Sequence, residues 1–209
     1  MHLFKKMRVC AAQTEAAAGS PTPRMDAALC ILAGDVCLQV HQDLVPLCRP
    51  LSPPAPVRCF VPQLEAPSTW LCKDAQFFTL FKLQGSTLLF SHGNRVLYYA
   101  STMAQLAPEC PLGTAFLCQF THDTLPEGRV PRLLVFDVFS PGPPKPPSER
   151  GHLLRGMAQH LPQPVCAVQW VGPRRYLSRE FVAGLPHAIA GLFYLGADPC
   201  AIDVVESLD

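Results

Sequence analysis

Six side chains in this sequence have the chemistry to bind a nucleotide or to act on a phosphate group. Two are tryptophans, whose flat rings stack on unpaired bases. Two are neighbouring arginines, which bind phosphates. The other two are a lysine that could attack a phosphorus atom and an acid that could hold a metal ion. In chain order they are Trp70, Lys82, Asp137, Trp170, Arg174 and Arg175.

Each of these residues also has a simpler structural interpretation. Lys82 fits a strand lysine whose amine reaches the surface, and Asp137 fits an acid that accepts hydrogen bonds from backbone at a strand end. Tryptophans are often buried in a core. Arg174 and Arg175 follow Gly172-Pro173 and fit a solvated loop equally well. Both interpretations stay open at this point.

Other catalytic and metal-binding patterns are missing from the sequence. The ten cysteines are never separated by only two to four residues, which argues against a zinc knuckle. The sequence contains neither a Gly-x-Ser-x-Gly motif nor a phosphate-binding glycine loop. We therefore expect free thiols, no metal and no cofactor, and a reducing location, cytoplasmic or nuclear.

Composition limits the kind of partner that the chain binds. Hydrophobic residues make up 49% of the 209 residues, which is enough for a sizeable core. The formal net charge is only +1, whereas a broad duplex-binding face would be strongly basic. A local site for a nucleotide or an RNA 5′ end fits this charge, and duplex DNA does not. No apolar run is long enough to cross a membrane.

The chain divides into three parts by composition. Residues 1–25 predict a disordered leader, although their basic bias leaves a weak targeting segment open. Residues 26–67 form an N-terminal segment that ends in a proline-rich connector, residues 46–67, which could also bind a proline-recognising protein partner. Residues 68–209 are the predicted domain.

Within that domain, short apolar and aromatic runs alternate with turn residues and predict an antiparallel sheet. The predicted strands are Phe77–Gly85, Ser86–Ser91, Arg95–Ala100, Gly113–Thr121 and Arg132–Phe139. A helix is predicted from Ser148 to Leu161, and further strands at Val165–Val171 and Ile189–Leu195. This order predicts an α+β fold: a mostly antiparallel sheet with packed helices.

The order of motifs resembles the core shared by mRNA capping guanylyltransferases, ATP-dependent ligases and the snurportin cap-binding domain. Three segments carry the resemblance: Lys82-Leu83-Gln84-Gly85, Leu133–Val138 with its central acid, and Ala190-Gly191-Leu192-Phe193-Tyr194. The match is best to snurportin. The resemblance implies a nucleotidyltransferase-like core over roughly residues 70–200, with Lys82 as the position of the attacking lysine.

The same motifs lack the charged groups that the enzymes of this superfamily need. Gln84 replaces an acid, Gln119 stands where acids are expected, and Ala190 replaces the acid before the glycine. These acids hold the divalent metal, and the chain has no lysine after Lys145 to bind a triphosphate. Three functions therefore stay open: a non-catalytic protein that binds a nucleotide or RNA 5′ end, a pseudoenzyme that serves as a protein-interaction scaffold, or an active nucleotidyltransferase that uses Lys82.

Overall fold

The structure of this protein is a computed structural model, and it describes residues 33–39, 64–73, 75–93, 96–196 and 202–207. For residues 33–39 and 202–207 it describes the backbone alone. The predicted leader, residues 1–25, and most of the proline-rich connector lie outside the described residues. The strands and helices are β1 Ala33–Gln39, β2 Pro67–Cys72, β3 Gln76–Leu83, β4 Ser86–Ser91, β5 Val96–Ala100, β6 Ala115–Leu125, β7 Gly128–Phe139, α1 Pro147–Met157, β8 Cys166–Val168, β9 Gly172–Pro173, α2 Arg179–Ala183, β10 Ile189–Leu195 and β11 Ile202–Ser207.

Seven strands form the larger sheet, in the order β1-β5-β4-β3-β6-β7-β8. Neighbours run antiparallel except β7 and β8, which are parallel. Five adjacent strands of this sheet correspond to the five strands that the sequence predicts for one sheet: β5, β4, β3, β6 and β7. In β7, Leu133 and Val135 face one hydrophobic cluster, while Leu134 and Phe136 face two others. Both faces of this strand are therefore buried.

A second sheet of four strands, in the order β11-β10-β2-β9, covers one face of the first. Leu192 and Phe193 of β10 pack in clusters with Leu134 and Phe136 of β7. The described residues are mostly strand and contain a single helix of seven residues or more. The predicted α+β class, with helices packed on a nucleotidyltransferase core, is therefore wrong.

The physical reason is that an apolar sheet face requires a cover but does not specify which kind. The continuous apolar run Leu133–Phe136 in β7 correctly indicates that both faces are buried. It does not reveal that one face is covered by a sheet. On the other face, Leu154 of α1 and Leu161 pack against the strands, so the predicted helix contributes only part of the core.

Candidate functional site

The chain between β8 and α2 carries three of the six residues singled out in the sequence. Trp170 lies between β8 and β9, and its ring packs directly on Gly172: a Cβ atom there would be 2.3 Å from the ring. Thr69 of β2 donates a hydrogen bond to the Trp170 carbonyl oxygen at 2.7 Å. Arg174 and Arg175 follow β9 in a short 3-10 helix, Arg174–Tyr176. The second sheet therefore positions all three residues.

These residues form part of an exposed patch that we call the aromatic–arginine surface. It is made of three aromatic and three basic residues: Trp170, Arg174, Arg175, Tyr176, Arg179 and Phe181. Trp170 is 37% exposed and Tyr176 is 58% exposed. The Trp170 ring centroid lies 6.5 Å from that of Tyr176, at an interplanar angle of 90°, and 6.4 Å from that of Phe181.

Arg175 is held across the Tyr176 ring. Its guanidinium carbon lies 4.9 Å from the ring centroid, and its Nη2 donates to the Tyr176 hydroxyl at 3.1 Å. Nη1 forms an ion pair with Glu65. The hydrogen bond to the Tyr176 hydroxyl, together with the Glu65 charge, raises the pKa of Arg175. A stacked and permanently charged guanidinium is well suited to a phosphate or a carboxylate.

A cavity of about 210 Å³ adjoins this surface, between the first turns of α1 and strand β9. Glu65 and Gly172 line it, so it shares residues with the neighbourhoods of Arg175 and Trp170. On the α1 side it is lined by His152 and Arg155, whose Nη2 lies 3.0 Å from His152 Nδ1. The cavity therefore places a further positive charge, that of Arg155, close to the exposed rings.

Trp70, in contrast, is buried and only 5% exposed. Its Nε1 donates to His187 Nε2 at 2.9 Å, and His187 Nδ1 lies 3.0 Å from Asp123 Oδ1. Since indole only donates, Nε2 must be the acceptor and Nδ1 carries the proton that goes to Asp123. The structure thus places Trp70 in the core, with its ring centroid 5.8 Å from that of Phe181.

The buried Asp123–His187 pair was not predicted, because the two residues are 64 positions apart. It lies near Cys72 and superficially resembles a Cys/His/Asp nucleophile site. Both ring nitrogens of His187 are already used, however, so the ring has no free lone pair to accept a proton. Burial raises the pKa of Cys72 to about 12. The arrangement is a buried hydrogen-bond network and not an activated thiol.

A second depression, of about 380 Å³, lies on the other side of α2. Arg179 is the one charged residue that lines it, and Val182, Leu185 and Ile189 provide most of its wall. His187 is also part of the wall, but its nitrogens are engaged by Trp70 and Asp123. This depression is therefore mainly apolar.

Lys82 lies at the end of β3, away from the aromatic–arginine surface. It is 7% exposed, and its Nζ donates to the Leu106 carbonyl oxygen at 3.2 Å. Among the described residues, no carboxylate forms an ion pair with this amine. The amine thus sits beneath the segment that follows β5, without an acid of the kind that holds a metal.

Asp137 is paired with Arg150 of α1 in the interior. Both residues are only 2% exposed. Arg150 Nε lies 3.0 Å and 3.1 Å from the two carboxylate oxygens, and the Val138 amide donates to Oδ1 at 2.9 Å. Burial raises the pKa of Asp137, against the opposing effects of Arg150 and the amide. The carboxylate anchors α1 to the sheet, and it does not meet Lys82.

The structure therefore brings together Trp170, Arg174 and Arg175. It buries Trp70 behind Phe181 and gives Lys82 and Asp137 other partners. Sequence reasoning missed Tyr176 and Phe181, which complete the patch. The signal that could have found Tyr176 is its position directly after the arginine pair, where an aromatic side chain in a polar loop is exposed. Nothing in the sequence indicated that His152 and Arg155 line the adjoining cavity, because their position there depends on how α1 packs beside β9.

Two features are absent from the described residues. No group of three or more His, Cys, Asp or Glu side chains is placed to hold a metal ion. No described helix is long and apolar enough to cross a membrane. In comparisons with known proteins, no protein-family model matches this chain, and no curated protein matches it significantly.

Proposed function

We propose that this chain is a non-catalytic binding protein that holds an unpaired nucleotide, such as the 5′ end of an RNA, on the aromatic–arginine surface. The observation that carries the proposal is the juxtaposition of two exposed rings, Trp170 and Tyr176, with Arg174 and Arg175. This is one of the three functions that the sequence left open. The expected cytoplasmic or nuclear location gives access to RNA.

Stacking supplies most of the binding energy in this proposal. A base placed on an exposed aromatic ring contributes about 1–3 kcal/mol, or roughly a 5- to 150-fold change in affinity. Trp170 has the larger ring, and Tyr176 provides a second exposed ring beside it. Unpaired bases are favoured over duplex because only an unpaired base exposes both of its faces.

The phosphates of the bound end are neutralised by few charges. Arg175 has an exposed guanidinium, and Arg155 lies across the adjoining cavity. With two or three phosphates contacted, the logarithm of the affinity falls by about 1.4–2 per tenfold rise in salt, since each phosphate on a single strand contributes about 0.7. This weak dependence agrees with the near-neutral charge of the chain.

The surroundings of Lys82 and Asp137 support a non-catalytic role. Lys82 is hydrogen-bonded to a backbone carbonyl, and both oxygens of Asp137 accept from Arg150. A lysine nucleophile needs a metal-bound phosphate in line with its amine. We therefore expect no covalent nucleotide adduct on Lys82 when the protein is incubated with ATP or GTP and magnesium or manganese.

A titration with labelled RNA tests the proposal. A short single-stranded RNA with a 3′ fluorescent label leaves its 5′ end free, and binding is followed by fluorescence polarisation. Trp170→Ala should weaken binding by 5-fold or more, and Arg175→Gln should reduce the salt slope by about 0.7. The matched controls are Leu112→Ala, which removes an exposed apolar side chain elsewhere, and Arg129→Gln, which removes an exposed arginine elsewhere.

The outcomes separate the proposal from its alternatives. Equal RNA affinity in the wild type and in Trp170→Ala would reject stacking on Trp170. Equal affinity for single-stranded and duplex RNA would reject the preference for unpaired bases. No change in polarisation with RNA, mononucleotide or cap analogue at millimolar concentration would reject nucleotide binding altogether.

A second candidate function is the docking of a protein segment on the same surface. The specific observation in its favour is that the Trp170 and Tyr176 rings meet edge to face, at 90°, and do not form a parallel slot for one base. Trp, Tyr and Arg are also the residues that dominate protein interfaces. With Arg174 and Arg179 contributing positive charge, the partner segment would carry carboxylates next to an apolar residue.

A further inference from the structure

An exposed serine lies at the end of the arginine pair. The chain reads Arg174-Arg175-Tyr176-Leu177-Ser178, so the serine has arginines four and three residues before it. This is the only adjacent pair of arginines in the sequence, and no other serine or threonine has arginine at both positions. Protein kinases with acidic substrate grooves select such sites, because carboxylates bind guanidinium groups through paired hydrogen bonds.

The local geometry presents the serine to solvent. Ser178 is exposed, as are Arg175 and Tyr176 before it and Arg179 after it. Its Oγ accepts a hydrogen bond from the Phe181 amide at 3.1 Å and so begins α2. This interaction uses a lone pair of the hydroxyl. The pKa of Glu180 is lowered by a hydrogen bond from its own backbone amide and by one from the Ser178 side chain, so the kinase base takes the hydroxyl proton from this exposed carboxylate.

The arginines also lie where they would meet a phosphate on Ser178. Arg174 Nη1 donates to the Leu177 carbonyl oxygen at 3.0 Å, which belongs to the peptide bond that leads into Ser178. Arg179 is the next residue along the chain. A phosphate placed opposite arginines forms charge-assisted hydrogen bonds that order the surrounding segment.

We propose that Ser178 is a phosphorylation site for an arginine-directed protein kinase. In the reaction the Ser178 Oγ forms a bond to the γ-phosphorus of ATP, and the bond from that phosphorus to the bridging oxygen breaks. ADP leaves with the bond electrons, and the hydroxyl proton passes to the base of the kinase. The protein acts here as the substrate, and the kinase and ATP supply the chemistry.

Phosphorylation would reverse the charge of the aromatic–arginine surface. Three arginines and the nearby Glu65 and Glu180 leave a net charge of +1. A phosphoserine adds about −1.5 to −2 and makes the surface negative. If the surface binds RNA as proposed above, the modification should displace the RNA, both by repulsion and by occupying Arg174. Only this consequence rests on the proposed function.

The site can be tested on the folded full chain. The protein is incubated with a purified arginine-directed serine/threonine kinase and magnesium ATP, and the phosphate is located by mass spectrometry. We expect one phosphate on Ser178, no incorporation at this position in Ser178→Ala, and at least a tenfold lower rate in Arg175→Gln. The matched control is Ser148→Ala, which removes an exposed serine that has Lys145 three residues before it and should not lower incorporation.

Three results would overturn the proposal. One is incorporation that is unchanged in Ser178→Ala, and a second is the absence of phosphate from both the chain and a synthetic peptide of residues 170–184. The third is modification of the peptide but not of the folded chain, which would show that the fold hides the serine. RNA affinity is measured separately, by comparing the phosphorylated and unmodified chains: a tenfold loss supports displacement, while phosphorylation without RNA binding leaves the site intact and rejects only the proposed function.

Discussion

Replacement of Arg150 by methionine tests the structural role assigned to Asp137. Methionine is similar in length and apolar, so the change removes the guanidinium and keeps much of the packing. The substitution leaves a carboxylate that is 2% exposed with one amide donor in place of three hydrogen bonds. It also removes the donors to the Lys145 and Gly196 carbonyl oxygens.

Breaking a buried ion pair from one side costs about 3–5 kcal/mol. For a chain of this size, that lowers the midpoint of thermal unfolding by roughly 6–20 °C. The assay is urea unfolding followed by far-ultraviolet circular dichroism, in a reducing buffer. Loss of the Arg150 guanidinium should raise the folded pKa of Asp137 further, so the carboxyl should take up a proton in the folded state as the pH falls. The stability loss should therefore be smaller at pH 4 than at pH 8.

The double variant Asp137→Leu/Arg150→Met provides the decisive comparison. It removes the unpaired charge, so it should recover at least about 1 kcal/mol of the loss seen in Arg150→Met alone. A loss below about 1 kcal/mol in Arg150→Met would refute the anchoring role. A double variant less stable than the single one would contradict the claim that the buried charge causes the loss.

Three further predictions concern other parts of the molecule. Burial lowers the pKa of His92 to about 4 from a usual 6.5, so the free energy of unfolding should fall as the pH drops between these values. In His92→Asn this fall, measured by urea unfolding, should be smaller by up to roughly 3 kcal/mol. An equal pH dependence in the wild type and the variant would contradict the prediction. Burial raises the pKa values of Cys72 and Cys166 to about 12, so neither thiol should be alkylated by iodoacetamide at pH 8 in the folded protein, whereas mass spectrometry should find both modified in urea. In Gly172→Ala the new Cβ would meet the Trp170 ring, so the tryptophan emission should shift towards that of a more exposed ring; an unchanged spectrum would argue against this packing.

Six of the seven strands of the larger sheet, all except β1, could be predicted from the sequence because each has a local signal. Leu133–Phe136 is a continuous apolar run, and the turn between β3 and β4 carries Gly85 at a φ of +75°, a backbone conformation that favours glycine. In the second sheet such a signal is found only in Ile189–Leu195, which is β10. Strand β9 is only Gly172–Pro173, and its membership depends on pairing with Pro67 and Ser68, more than a hundred residues earlier.

The same distinction applies to the candidate site. The basic pair Arg174 and Arg175 is visible because its residues are adjacent in sequence. That Trp170 is exposed while Trp70 is buried could not be predicted, since it depends on which side of the second sheet each ring occupies. The roles of Lys82 and Asp137 depend on long-range partners, Leu106 and Arg150, which no spacing rule connects to them.

Quenching of tryptophan fluorescence tests the central claim most directly, since the claim is that a base stacks on Trp170. The chain has two tryptophans, and the buried Trp70 should not respond to a ligand on the surface. Titration with short single-stranded RNA should quench the wild type. In Trp170→Phe the quenching should disappear, although polarisation should still report binding, because phenylalanine keeps an aromatic ring for stacking. Quenching that persists in Trp170→Phe, or RNA affinity that is unchanged in Trp170→Ala, would contradict the account.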